Sequence, residues 1–272
     1  MSFVQRLAEY SRSRRTLLCV GLDPDRNRIP EHLKKEKSFL SRFCCETVEA
    51  VAPYCIAFKP NIAFFESSGY DGIRQFEDTI HFIKKKYPDH LIVTDAKRGD
   101  LGNTAKEYAE YFFGQLKTDS LTVSPYMGRD SLEPFLNFKD SHLFALCLTS
   151  NPGSSDLQRL KTEGVPLYKR TAEMISDLEK KYPEQLGLVT GGTHPEEIGE
   201  IHSEFSHLPL LIPGFGEQGG SLEDILPKAG RLALINSSRS IIFAGKDHDF
   251  ASKASEKAEE IHQQFKKFFE PK

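Results

Sequence analysis

Apolar residues along this chain gather into short strand-like runs, separated by longer stretches with helical patterning. The runs cover residues 16–22, 54–58, 91–94, 121–123, 143–148, 187–190, 208–212 and 232–235. Between them, residues 38–51, 73–87, 104–116, 167–181 and 248–269 repeat apolar positions at helical spacing. Strands that alternate with helices favour parallel pairing, and eight such units can close into a (β/α)8 barrel. An open, doubly wound sheet is the structural rival. No change of composition and no flexible linker divides the chain, so residues 1–272 are expected to form a single α/β domain. A short amphipathic helix opens it, in MSFVQRLAEYSRSRR.

The residues that follow each run sharpen this reading. The first run ends in Gly21-Leu22-Asp23-Pro24, the second in Phe58-Lys59-Pro60-Asn61, and the third in Asp95 and Lys97. Later runs end in Ser124-Pro125-Tyr126, Thr149-Ser150-Asn151-Pro152-Gly153, Gly191-Gly192-Thr193, Pro213-Gly214-Phe215-Gly216 and Asn236-Ser237-Ser238-Arg239. Polar, Gly- and Pro-rich strand ends collected on one rim match the face of a barrel that carries catalysis. Counting back by twos, Asp23 shares a face with Gly21 and Cys19, and Lys59 shares one with Ala57 and Cys55. Small residues inside, with Leu18, Val20, Ile56 and Phe58 outside, suit a narrow barrel covered by helices.

Residues 91–104, LIVTDAKRGDLGNT, hold the densest chemistry. Regular alternation would point Asp95 and Lys97 the same way, setting a carboxylate beside an ammonium at a strand end. Gly99 would then let the chain turn and bring Asp100 back. Each of these residues also has a plain explanation. An exposed Asp/Lys pair is commonly a solvated ion pair of small value, and Thr104 with Glu107 has capping-box spacing.

Two loops add to the picture. Residues 151–166 lack periodicity and suit a lid over the rim, although a loop without function reads the same way. GFGEQGG, residues 214–220, could cradle a phosphate with backbone N–H groups, and Arg239 follows the eighth run. Loops after strands seven and eight are where barrels recurrently bind phosphate. Thr193-His194-Pro195-Glu196 fits a capping box, so His194 needs no catalytic role.

Composition narrows the function class. A net charge of −3 gives no electrostatic case for a nucleic-acid or membrane partner. Five cysteines, an odd number without metal-ligand spacing, point to a reducing compartment and hence the cytosol. None of the nine histidines stands in H-x-H or H-E-x-x-H spacing, so no metal site is expected.

With these residues assembled, the chain resembles the orotidine 5′-phosphate decarboxylase family in its longer bacterial branch. The motifs that carry the resemblance run nearly end to end: VGLDPD, AFKPNIAFFE, VTDAKRGDLGNTA, VSPYMGRDS, LTSNPGS, VTGGTHPE, IPGFGEQGG and NSSRSI. The resemblance implies a homodimeric (β/α)8 barrel that needs no metal or cofactor. Its expected reaction turns orotidine 5′-phosphate into uridine 5′-phosphate and CO2, the last step of de novo pyrimidine synthesis. It implies a charged tetrad of Lys59, Asp95, Lys97 and Asp100, with Lys97 as proton donor and Asp100 supplied across the dimer interface. Thr104 would reach the neighbouring ligand, Asp23 the ribose and Ser150 the pyrimidine. Gln218 and Arg239, with backbone at Pro213, Gly214 and Gly216, would grip the phosphate. Ser238 departs from the pattern of shorter members, which usually place Gly before the arginine.

The chemistry explains the residue types. Loss of CO2 from C6 leaves a localised carbanion with no carbonyl to absorb its charge, so fixed electrostatics must stabilise it. Two rival functions remain at this stage. One is a magnesium-dependent sugar-phosphate decarboxylase or aldolase-like relative, disfavoured because Lys59 stands where those enzymes place a metal-binding glutamate. The other is a non-catalytic barrel that binds a phosphorylated ligand, which would have no use for four clustered charges.

Overall fold

In a computed structural model, residues 1–215 and 220–270 are described. The strands of the principal sheet are β1 (Leu18–Leu22), β2 (Ala57–Pro60), β3 (Leu91–Arg98), β4 (Ser120–Val123) and β5 (His142–Leu148), followed after a small hairpin by three more. The hairpin is β6 (Lys161–Thr162) with β7 (Val165–Pro166), and the last three are β8 (Leu186–Thr190), β9 (Leu210–Ile212) and β10 (Ala233–Ser237). The sheet closes into a barrel in the order β1-β10-β9-β8-β5-β4-β3-β2. The expected fold class is therefore the observed one.

By its internal packing the chain forms two compact units: Met1–Glu9 with Lys97–Ile235, and Tyr10–Ala96 with Asn236–Lys272. In the first unit, β4, β5, β8 and β9 pair in parallel, and β9 pairs with the start of β10. The beginning of α1 (Phe3–Arg14) lies against this sheet: Phe3 stacks on His142 at 4.2 Å and meets Phe144 edge-on. Arg6 anchors the same turn through a 2.5 Å ion pair with Asp119.

In the second unit, β1 and β2 pair from Cys19/Ala57 to Leu22/Pro60, and β2 continues onto β3 at Ala57/Leu91. All five residues of β1 and all four of β2 are buried, as expected where helices cover a parallel sheet. Helix α2 (Phe39–Val51) sets Phe43 between Phe243 and Phe250, with ring centroids 5.3 and 5.2 Å apart. Helices α3 (Ala63–Glu66) and α4 (Gly69–Lys86) join Phe65 to Phe76.

Three elements depart from the pattern-based expectation. The second strand begins at Ala57 rather than residue 54, because Pro53 opens a 3-10 turn over Ala52–Tyr54 and cannot donate to a ladder. Lys59 and Pro60 consequently lie inside β2 rather than beyond it. The helix expected over 104–116 is α5 (Gly102–Ala109) continuing into a π-helical turn, Glu110–Gln115. Residues 151–166, expected as a lid-like loop without periodicity, contain a helical turn at Ser154–Leu157 and the β6–β7 hairpin.

Candidate active site

The sequence-selected residues divide between the two units. Asp23, Lys59, Asp95 and Arg239 belong to one, and Lys97, Asp100, Thr104, Ser150, Pro213 and Gly214 belong to the other. Gly216 and Gln218 lie outside the described residues.

In the second unit a charged cluster forms at the C-terminal ends of β1 and β2. Lys59 Nζ is 2.6 Å from Asp95 Oδ2, with both side chains buried. The two residues share a frame: Asn61, just past β2, bridges to Asp95, and the Ile62 N–H donates to the Asp95 carbonyl. Burial works against the Lys59 ammonium. The fields of Asp95 and Asp23 and the Asp95 hydrogen bond outweigh it, holding the pKa of Lys59 above the ordinary lysine value. Cys19 registers the same charges from β1. Burial is the largest influence on its thiol; Lys59 pulls the pKa down, Asp95 and Asp23 push it up, and the result is about 12.

Asp23 follows β1. Its Oδ2 accepts a hydrogen bond from the Ser238 hydroxyl, while its Oδ1 is buried with no partner among the described residues. The Asn236 side-chain oxygen is also buried and has no partner among the described residues. Buried acceptors normally find a donor, so both fit a ligand hydroxyl or N–H arriving at this rim. Ser238 also donates to the Gly21 carbonyl at 3.2 Å. Its φ of −122° is open to any residue, so serine before Arg239 imposes no left-handed strain. Gly21 is needed for space instead, since an added Cβ would lie 2.8 Å from Ser238 Cβ.

In the first unit the end of β3 is distorted. Lys97 has φ +47°, the left-handed region, within a strand. The other non-glycine residues with positive φ among those described (Arg15, Lys117, Glu163 and Glu184) all lie outside helices and strands. Strand alternation is therefore lost at Lys97. Its N–H donates to Thr122 Oγ1 at 3.0 Å. Gly99 does not make a left-handed turn; it is required because a Cβ there would lie 2.8 Å from the Ser124 carbonyl oxygen. Asp100 accepts from the Leu101 N–H at 2.8 Å. Helix α5 begins at Gly102, which places Thr104 inside it, exposed, and not at the cap that its spacing suggested.

Ser150 follows β5, and its backbone packs directly on Gly191, where a Cβ would lie 2.7 Å from the Ser150 nitrogen. The segment after it is tied down in ways that its composition did not reveal. Gln158 accepts from the Thr149 N–H at 2.7 Å, and Arg159 pairs with Glu197 at 2.6 Å. Burial is the largest influence on Glu197 and raises its pKa, but the Arg159 hydrogen bond, a backbone hydrogen bond and the nearby charges of Arg159 and His194 together leave the carboxyl below its usual value. His194 lies within 3.3 Å of both the Thr149 carbonyl and the Arg159 guanidinium. The expected Thr193–Glu196 capping box is absent: His194 is the N-cap of helix α6 (Pro195–Glu204), and Thr193 Oγ1 has no partner among the described residues. Gly214 has φ +94°, so a side chain there would be strained, and Phe215 bridges to Gly220.

One group among the described residues has donor atoms close enough for a cation: His32, Asp247 and His248, mutually within 4.8 Å. The two imidazoles stack with centroids 4.0 Å apart and planes 20° apart. Their lone pairs thus lie in nearly parallel planes rather than converging on one ion. None of the three belongs to the set that the resemblance names.

Comparison with known proteins converges on one family. Residues 16–254 match the model of the "Orotidine 5'-phosphate decarboxylase / HUMPS family". An orotidine 5′-phosphate decarboxylase of Leptospira interrogans is 48% identical, over 99% of this chain and 98% of its own. A second, from Christiangramia forsetii, is 44% identical over 96% of each. Among solved structures, the orotidine-monophosphate decarboxylase of Leishmania donovani is 34% identical with a TM-score of 0.84, covering 99% of both chains. On these matches, which span nearly its whole length, the chain belongs to the orotidine 5′-phosphate decarboxylase / HUMPS family.

Proposed function

We propose that this protein is a carboxy-lyase that converts orotidine 5′-phosphate to uridine 5′-phosphate and CO2 in pyrimidine biosynthesis. The observation that carries this reading within the family is the buried Lys59–Asp95 pair. A cation that stays charged at the end of β2 is a poor metal ligand, which disfavours the magnesium-dependent branch. It is well suited to an electrostatic site that stabilises a carbanion without a Lewis acid.

In the proposed reaction the C6–carboxylate bond breaks, its electron pair remains on C6, and CO2 leaves. Lys97 Nζ then donates a proton to C6 and is reprotonated from solvent. Asp95 and Asp100 supply the carboxylates of the tetrad, and Lys59 balances Asp95. Asp23 takes a ribose hydroxyl through the oxygen that has no partner among the described residues, and Ser150 addresses the pyrimidine. Arg239, Gln218 and backbone at Pro213, Gly214 and Gly216 hold the phosphate. Because the phosphate lies away from the reacting carbon, its binding energy can orient the ring and draw the 151–166 segment over it.

The protein acts as a homodimer in this reading, with Asp100 and Thr104 serving the partner's site. Leu101–Thr104 is exposed along its whole length in the single chain, as such a role requires. No helix among the described residues is long and apolar enough to cross a membrane. The cytosol is the compartment proposed, in keeping with five cysteines that are all free thiols. The test is loss of orotidylate absorbance with purified protein in excess EDTA. Full turnover is expected. Turnover of a sugar phosphate that stops on chelation would favour the magnesium-dependent reading, and binding without turnover a non-catalytic one.

A further inference from the structure

We infer that Thr122 is a positioning residue for Lys97, acting through the backbone rather than touching substrate. The inference rests on the reading of Lys97 as proton donor. Two observations carry it. Lys97 is held in a left-handed conformation that lysine seldom adopts, and it is held there inside a strand. Such conformations persist only where the surroundings over-determine them. In a regular parallel ladder the Lys97 N–H would meet a strand carbonyl; here it meets the Thr122 hydroxyl at 3.0 Å.

The neighbourhood suits that task. Thr122 is in β4 and 2% exposed, and a β-branched side chain has few rotamers, so its Oγ1 is a fixed acceptor. On the far side of Lys97, the Arg98 carbonyl accepts from the Ser124 N–H at 2.8 Å, and Gly99 packs on the Ser124 carbonyl. The Arg98 guanidinium lies over the Tyr108 ring at 5.2 Å. Lys97 is thus bracketed, with Thr122 gripping its own N–H and Ser124 gripping the next residue. Proton delivery from Nζ depends on the direction in which this backbone launches the side chain, and small misplacements cost rate rather than affinity.

The experiment compares Thr122→Val, Thr122→Ser and Lys97→Ala in kcat, KM, affinity for uridine 5′-phosphate and thermal midpoint. Valine keeps the shape and removes the acceptor; serine keeps the acceptor. The expected result is a fall in kcat of about ten- to a hundredfold for Thr122→Val. Product affinity and thermal midpoint should stay near wild type, and Thr122→Ser should recover most of the rate. Wild-type kcat in Thr122→Val, or equal losses in the valine and serine variants, would overturn the proposal, because neither depends on the hydroxyl. Should the valine variant fail to fold, Thr122→Ala replaces it, and a serine variant no faster than alanine is the overturning result. Lys97→Ala separates the two levels. If it retains decarboxylation, the proton-donor reading fails; if it is inactive while Thr122→Val is unaffected, only the positioning role falls.

Discussion

His142 opens β5 with its ring between those of Phe3 and Phe144, and the Ser120 hydroxyl 3.1 Å from Nδ1. Lys59 stands near the other end of its strand, β2, with a carboxylate oxygen 2.6 Å from its ammonium. Both are buried basic side chains, yet burial lowers the pKa of His142 to about 3 whereas the pKa of Lys59 rises. The difference is company. Burial beside Phe3 and Phe144 takes the His142 ring out of water, and a backbone hydrogen bond at Leu186 does not make up the loss, so His142 is neutral and acts as packing. Asp95 and Asp23 offer Lys59 more than water did. In a barrel the N-terminal ends of strands serve stability and the C-terminal ends serve chemistry, and these two residues show that division in their charge states.

The most severe way to break this contrast is at the charge proposed to do the chemistry. Lys97→Ala should lower kcat by more than about a thousandfold, while affinity for uridine 5′-phosphate, measured by calorimetry, stays within about threefold. Next in size is Lys59→Met, which strands a buried carboxylate. Urea denaturation should show a loss of about 3–5 kcal/mol, and the double variant with Asp95→Asn should regain part of the stability without regaining activity.

At the other end of the strands the test is pH. The folded pKa of His142 is depressed, so the unfolded chain binds the proton more tightly. Its contribution to stability is complete above about 6.5 and is lost as pH falls toward about 3. His90, lowered to about 4 by burial, adds to the same limb. The thermal midpoint should therefore decline from pH 6.5 to 4, and His142→Phe should flatten that decline. The smallest effect is expected at Ser238→Ala, which removes one hydrogen bond to Asp23. KM should rise by no more than about tenfold with kcat unchanged.

Much of the architecture could be read from the chain because each strand is a short apolar run ending in polar or glycine-rich sequence. The grouping of Lys59 with Asp95 comes from the family resemblance, since alternation along the chain pairs Asp95 with Lys97 instead. What could not be read were features set by tertiary contacts. The alternation that placed Asp95 and Lys97 on one face assumed extended backbone, and no local signal marks the left-handed φ at Lys97. Gly99 looked like a hinge, but its lack of a side chain serves the approach of the Ser124 carbonyl from another strand. The capping spacings at Thr104 and Thr193 were real in sequence and unrealised in structure, because the helices begin at Gly102 and Pro195. Gln158 and Arg159 hide inside an aperiodic stretch, and only the folded chain brings them to Thr149 and Glu197.

Whether an amine waits beside the carbon that loses CO2 is decided by a structure of the complex with uridine 5′-phosphate. Lys97 Nζ should lie within about 3.5 Å of C6, the reach of a proton donor. An Nζ turned to bulk solvent, with some other group facing C6, would contradict it.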